Sequence, residues 1–85
     1  MTQNEVAEIA KEYVDNATKG FLKRYKLDNC FETIKQSAEV AARTNGVVEY
    51  FNTLINGVVD AVVSSSGKST DAINEEFARF YLTGN

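Results

Sequence analysis

Three groups of residues in this chain have the side-chain types and spacing from which chemistry is built. The first is Gly67-Lys68-Ser69-Thr70. It follows an apolar run and precedes a helical pattern, as the phosphate-binding loop of nucleotide-hydrolysing enzymes does. In that loop, backbone N–H groups and a lysine cradle the phosphates while a hydroxyl holds magnesium. The full pattern, G-x-x-x-x-G-K-[ST], needs glycine at position 62, where this chain has Val62. The nest therefore lacks its first element, and the chain is too short for the sheet that would position a second, acidic magnesium ligand. Two readings remain: a Ser/Gly loop that caps the next helix, or a weak anion site where free N–H groups meet Lys68, Ser69 and Thr70.

The second group is Lys19-Gly20-Phe21-Leu22-Lys23-Arg24-Tyr25-Lys26, with four cations around two aromatic rings. Such a cluster suits nucleic acid, an anionic lipid surface or an acidic protein patch. The competing reading is that the cations gather at a helix end to satisfy its carbonyls while Phe21 and Tyr25 enter the core. A formal charge of −3 argues against a general nucleic-acid binder and makes an acidic protein the better partner for these residues. The third group is Cys30, beside a helix start, where a thiol pKa can fall. The chain has no histidine, so a Cys–His pair is impossible and Cys30 reads as a buried or half-buried structural residue. As the lone cysteine, it excludes an internal disulfide and fits a reducing compartment.

Carboxylate pairs such as Glu8/Glu12 and Glu75/Glu76 fall on faces expected to be exposed. Acid–base work needs a cleft that lifts one carboxyl pKa, and a helical domain of this size rarely has one. With one cysteine and no histidine, little is left for a zinc or redox site. The expectation is a protein that is not an enzyme and holds no catalytic residues, metal or cofactor.

The elements that must position these groups are helical. The stretch from Val47 to Val63 is apolar around most of its circumference. Val47, Phe51, Leu54, Val58 and Val62 form a seam that Val48, Ile55 and Val59 widen; Glu49, Asn52, Thr53, Asn56 and Asp60 lie opposite. Its β-branched content makes a strand the alternative, but Val47-Val48, Leu54-Ile55, Val58-Val59 and Val62-Val63 are adjacent pairs that break strand alternation. At about 17 residues it is at the lower limit for a membrane span, and Glu49 and Asp60 are expensive at membrane depth. No membrane insertion is expected. Met1-Thr2-Gln3-Asn4-Glu5 is no signal peptide, so the cytoplasm is the default location.

Helix 1 starts near Gln3, capped by Thr2 or Asn4. Val6, Ile9, Ala10, Tyr13, Val14 and Ala17 share its face. It ends at Gly20 or, if the phase through Phe21 is followed, near Tyr25. Lys11 faces Asp15, and Asp15 faces Lys19, at i, i+4 spacing. Helix 2 opens at Asn29, with Glu32 completing a capping box. Phe31, Ile34, Ala38 and Ala41 mark its buried face, and Asn45-Gly46 stops it. Ser64-Ser65-Ser66-Gly67-Lys68 is read as a flexible connector. Helix 4 runs from about Asp71 to Leu82, capped by Ser69 or Thr70, with Ile73, Phe77, Phe80 and Tyr81 as its apolar face and Gly84 as its stop.

The sequence thus predicts one all-α domain, residues 1–85: a small bundle of three to four helices with helix 3 (about 47–63) at its centre, helix 2 antiparallel to it, and helices 1 and 4 across its seam. Nine aromatics are many for so small a core. Tyr50 at the edge of the helix 3 arc, and Phe80 and Tyr81, which cannot both point inward, are candidate docking residues. They join Lys19, Phe21, Lys23, Arg24, Tyr25 and Lys26.

The segment Phe31-Glu32-Thr33-Ile34-Lys35-Gln36-Ser37-Ala38-Glu39-Val40-Ala41-Ala42-Arg43, running into Val47–Val63, resembles the small accessory proteins of T-even bacteriophages, lysis-inhibition proteins among them. These are short, acidic and helical, rich in Asn, Lys and Thr, and lack cofactor motifs. The resemblance covers most of the chain in general type, contains no diagnostic motif and transfers no functional residue. It implies a cytoplasmic antiholin in the host cell that delays lysis by binding the cytoplasmic part of a holin complex. The leading expectation is a non-enzymatic regulator that binds another protein, a holin or a host protein, and self-associates because helix 3 demands more cover than its short neighbours give. The alternatives are a small-ligand or phosphate binder at Lys68 and a nucleic-acid accessory protein using Lys19–Lys26.

Overall fold

Thr2 starts the first helix: its Oγ1 accepts the Glu5 N–H at 3.2 Å, satisfying one of the donors every helix start leaves open. In the computed structural model, which describes residues 2–84, four α-helices follow. They are α1 (Gln3–Arg24), α2 (Phe31–Asn45), α3 (Val47–Ser66) and α4 (Thr70–Thr83), with a 3₁₀ turn at Asp28–Cys30 and no strand among the described residues. The all-α bundle expected from periodicity is the fold.

Gly20 does not end α1. Glycine stands there because a side chain would meet the Phe80 ring, 3.2 Å from where its Cβ would lie. The helix ends at Arg24 in a Schellman turn: the Leu27 N–H donates to the Leu22 carbonyl and the Lys26 N–H to that of Lys23, with Lys26 left-handed at φ 60° where glycine is usual. That turn displaces the expected start of the second helix. Asn29 sits inside the 3₁₀ turn, Cys30 is the N-cap without a side-chain bond, and no capping box with Glu32 forms. The Asn29 side-chain Oδ1 accepts from the Cys30 thiol at 3.7 Å instead.

A single residue, Gly46, joins α2 to α3 with φ 95° and ψ 177°, a conformation essentially reserved for glycine. The two helices form a tight antiparallel hairpin. Gly57 makes the close approach possible, since a Cβ there would fall 2.7 Å from Ile34 Cγ2. α3 extends through Ser64-Ser65-Ser66, expected to be loop, until left-handed Gly67 caps it, its N–H donating to the Val63 carbonyl. The connector is only Gly67-Lys68-Ser69. Ser69 Oγ then accepts the Ala72 N–H at 3.1 Å and starts α4.

The helices alternate in direction. Tyr50, in the first turn of α3, meets α1 at Asp15, whereas Lys68, just past the end of α3, meets Tyr25 just past the end of α1. The shared core is Val14, Phe21 and Leu22 of α1, Phe31 and Ala38 of α2, Tyr50, Leu54, Val58, Val59 and Val62 of α3, and Ile73 and Phe77 of α4. α3 is central, as expected, but its buried row begins at Tyr50, with Phe51 half-buried and Val47 and Val48 exposed. The shortage of cover expected around α3 lies elsewhere. On α1, Val14 is buried, yet Val6, Ile9 and Tyr13, expected to share its buried face, remain 52, 53 and 55 % exposed.

Candidate docking surface

The residues singled out by their chemistry are mostly engaged in holding the fold. Lys68 Nζ forms an ion pair with Glu76 Oε2 at 2.8 Å. The Tyr25 hydroxyl donates to Glu76 Oε1, and Lys68 Nζ also donates to the Tyr25 hydroxyl at 3.4 Å. These bonds hold the Glu76 carboxyl below its usual range, chiefly through Lys68, and raise both Lys68 and Tyr25, chiefly through Glu76. With Lys68 paired and Ser69 already capping α4, the Gly67-Lys68-Ser69-Thr70 segment is a helix start tied to the end of α1. Thr70 is simply its first helical residue.

The basic cluster is dispersed in the same way. Phe21 is fully buried, edge-on to Tyr25 and Phe77, so it cannot meet a partner. Arg24 lies over the Phe80 ring at 5.3 Å and Lys19 over Phe31 at 6.0 Å, where each cation gains ring attraction and covers apolar surface. Lys23 and Lys26 are exposed. Cys30 is half-buried. No group of three acidic, cysteine or histidine residues capable of holding a metal occurs among the described residues, and none of their helices is long and apolar enough to cross a membrane.

Tyr50 is likewise in the core, 1 % exposed. It can be buried because its hydroxyl donates to Asp15 Oδ1 at 2.6 Å, which satisfies the phenol. Burial first, and then Asp15, holds that phenol far above the ordinary tyrosine range. Asp15 Oδ2 also faces Lys35 of α2 at 3.6 Å. Asp15 therefore links α1 to α2 and α3 rather than pairing along its own helix; Lys11 lies over the Tyr50 ring at 4.7 Å instead.

A different surface remains open. Every large apolar residue exposed among the described ones lies at one end of the bundle: Val6, Ile9 and Tyr13 at the start of α1, Val40 late in α2, Val47 and Val48 opening α3, and Leu82 closing α4. Part of it is a shallow groove lined by Val6, Ile9, Ala10 and Tyr13. Tyr13 bounds it. Its ring packs edge-on against Tyr81, centroids 5.1 Å apart, and its hydroxyl donates to the Tyr81 carbonyl at 3.2 Å, so it caps an open carbonyl of α4. Phe80 and Tyr81 are each half-buried, Phe80 against Gly20 and Tyr81 against Tyr13. Of the aromatics expected to dock, Tyr81 meets this surface through Tyr13, and Phe80 lines the adjoining hollow with Tyr13, Tyr81 and Leu82, whereas Val6 and Ile9 are residues expected in the core. The signal that reveals them is length. α1 has 22 residues and α4 has 14, about 33 Å against about 21 Å, so α4 cannot cover the whole apolar row of α1.

No protein family matches this chain, and no curated protein or solved structure is significantly similar to it.

Proposed function

We propose that this protein is a non-enzymatic regulator that acts by binding another protein through the apolar end of its bundle. The observation that carries the reading is the alignment of Val6, Ile9 and Tyr13 on one side of α1, each more than half exposed, beside a core that is otherwise closed. Contiguous exposed apolar surface on a small protein marks an interaction site, and aromatic and aliphatic anchors are what such sites use. The anion-binding reading finds no free lysine at the start of α4, since Lys68 is paired with Glu76. The nucleic-acid reading loses its aromatic platform, since Phe21 is buried and Tyr25 is held between Phe21, Glu76 and Lys68. The sequence resemblance to T-even phage accessory proteins supports a specific form: a cytoplasmic antiholin that delays lysis by holding the cytoplasmic part of a holin complex.

A photo-crosslinking amino acid at position 9 tests the docking reading in the native host. It yields a discrete crosslinked product, whereas the same group at Asp60, on the polar face of α3, does not. If lysis control is the role, Ile9→Lys advances the time of lysis in infected cells. Identical crosslinking from both positions, or unchanged lysis timing, counts against the respective claim.

A further inference from the structure

Val6, Ile9, Tyr13, Ala17 and Gly20 follow one another along α1 in steps of three and four, which keeps them in one row. α4 already occupies the later part of that row. Phe80 fills the space a Gly20 side chain would take, and Tyr81 meets Tyr13 through both ring and carbonyl. There α4 ends, with left-handed Gly84 behind it. The earlier part, Val6 to Tyr13, is the same track without a cover. What seats α4 therefore seats another helix end to end with it, over about 10 Å of the α1 axis, or about two turns.

Charge selects the kind of helix. Glu5, Glu8 and Glu12 run along one border of the vacant stretch, all exposed, and none forms an ion pair among the described residues. Lys11 and Lys35 share a hollow with Glu8, Glu12 and Asp15, but Lys11 lies over the Tyr50 ring and Lys35 pairs with Asp15, so the border keeps an excess of carboxylates. Farther along the same border, beside the part α4 covers, come Lys19 and Lys23. A second copy of this chain gives the glutamates no answer. Antiparallel and centred on the strip, it opposes the same acidic border; parallel, it brings uncharged Gln3 and Ala10 across. An anionic membrane surface is repelled by the same carboxylates. We propose that the Val6–Ile9–Tyr13 strip seats a cationic amphipathic helix of a partner protein, with apolar anchors on the strip and lysines or arginines against the glutamate border. This names the partner chemistry of the docking surface and rests on that reading.

Synthetic probes test it with the full chain. They are a leucine–lysine amphipathic helix of about 14 residues, its leucine–glutamate counterpart, a scrambled leucine–lysine peptide of the same composition, and phosphatidylserine vesicles. Calorimetry and amide chemical shifts are the readouts. The leucine–lysine helix binds at least about tenfold more tightly than the other two peptides, weakens with salt, and shifts amides in the first half of α1. Replacing Glu5, Glu8 and Glu12 together by Gln removes most of the preference and the salt dependence. Ile9→Lys abolishes binding while its circular-dichroism spectrum and melting stay unchanged.

Equal binding of the lysine and glutamate helices overturns the proposal. So does binding that survives Ile9→Lys, binding of vesicles in place of peptide, or a concentration-dependent dimer that occupies the strip. If the charge preference fails while crosslinking at position 9 persists in the host, the partner chemistry is wrong and the docking surface stands. If both fail, the surface itself is wrong.

Discussion

The two halves of α1 are built from one continuous apolar pattern and have opposite fates. In the second half, Val14, Phe21 and Leu22 are sealed by α3 and α4, and even Thr18 is fully buried because its hydroxyl donates to the Val14 carbonyl at 2.8 Å. In the first half, Val6, Ile9 and Tyr13 face outward. The difference is not in composition, because both halves have valine or isoleucine and an aromatic at helical spacing. It lies in what stands opposite. Beside the second half, α4 arrives with Phe77 and Phe80; beside the first, α4 has ended. Amphipathic periodicity states that a face exists, and the lengths of the neighbouring helices decide whether the chain itself covers it.

The sharpest way to break this comparison is to truncate one side chain in each half. Phe21→Ala removes a fully buried ring from contact with Tyr25, Phe77 and Phe80 and is expected to lower the unfolding free energy by about 3–5 kcal/mol. Ile9→Ala, at a position 53 % exposed, is expected to change it by less than about 0.5 kcal/mol. Urea unfolding of the two variants reads the contrast directly. A loss at Ile9 comparable to that at Phe21 would mean that the first half of α1 is covered in solution.

The helices were legible because their signals are local. The adjacent apolar pairs of α3, the glycine after Asn45 and the serine before Thr70 each act within a few residues, and each appears where expected. The misreadings and the choices left open are positions decided at long range. Gly20 offers α1 a stop that the phase through Phe21 disputes, and the helix passes it, with Phe80 lying against it. Tyr50 reads as an arc-edge residue until Asp15, 35 positions away, is seen to satisfy its hydroxyl. Lys68 stands open between a capping loop and a weak anion site until Glu76 is found beside it. The open apolar surface was hidden for the converse reason: Val6, Ile9 and Tyr13 have every local mark of a core face, and only the shorter reach of α4 leaves them open.

A pH titration extends the contrast, because the groups whose proton affinity the fold shifts, Tyr25, Tyr50, Lys68 and Glu76, all lie away from the open strip. The folded state holds the Tyr50 phenol above its ordinary value through burial and then Asp15. An unfolded chain releases that proton near pH 10 and the folded chain does not, so this contribution is complete below about pH 10 and fades as pH rises further. Glu76 has the opposite sign. Its pKa is depressed in the fold, so its contribution is present above about pH 4.5 and is lost as pH falls through the folded value. Tyr50→Phe is expected to cost about 1–2 kcal/mol at neutral pH, where Asp15 loses its donor, and to flatten the alkaline limb of stability against pH. Glu76→Gln flattens the acid limb. An unchanged alkaline limb in the Tyr50 variant would remove Asp15–Tyr50 from the devices that close this half.

The smallest expected effect concerns the one described non-glycine residue with positive φ. Lys26 holds φ 60° at the turn where α1 ends, and its amide completes the Schellman pair with Leu27. A side chain in that region is strained by about 1 kcal/mol relative to glycine, and the unfolded chain returns part of this, since glycine has more freedom to lose. Lys26→Gly is therefore expected to raise stability by about 0.5 kcal/mol, read as a higher urea midpoint at constant slope. The same exchange removes one cation from the Lys19–Lys26 run without touching the Val6–Ile9–Tyr13 strip. If partner capture is unaltered in this variant and abolished in Ile9→Lys, the open half of α1 does the docking and the closed half only builds the fold; if Lys26→Gly weakens capture instead, the assignment of roles to the two halves reverses.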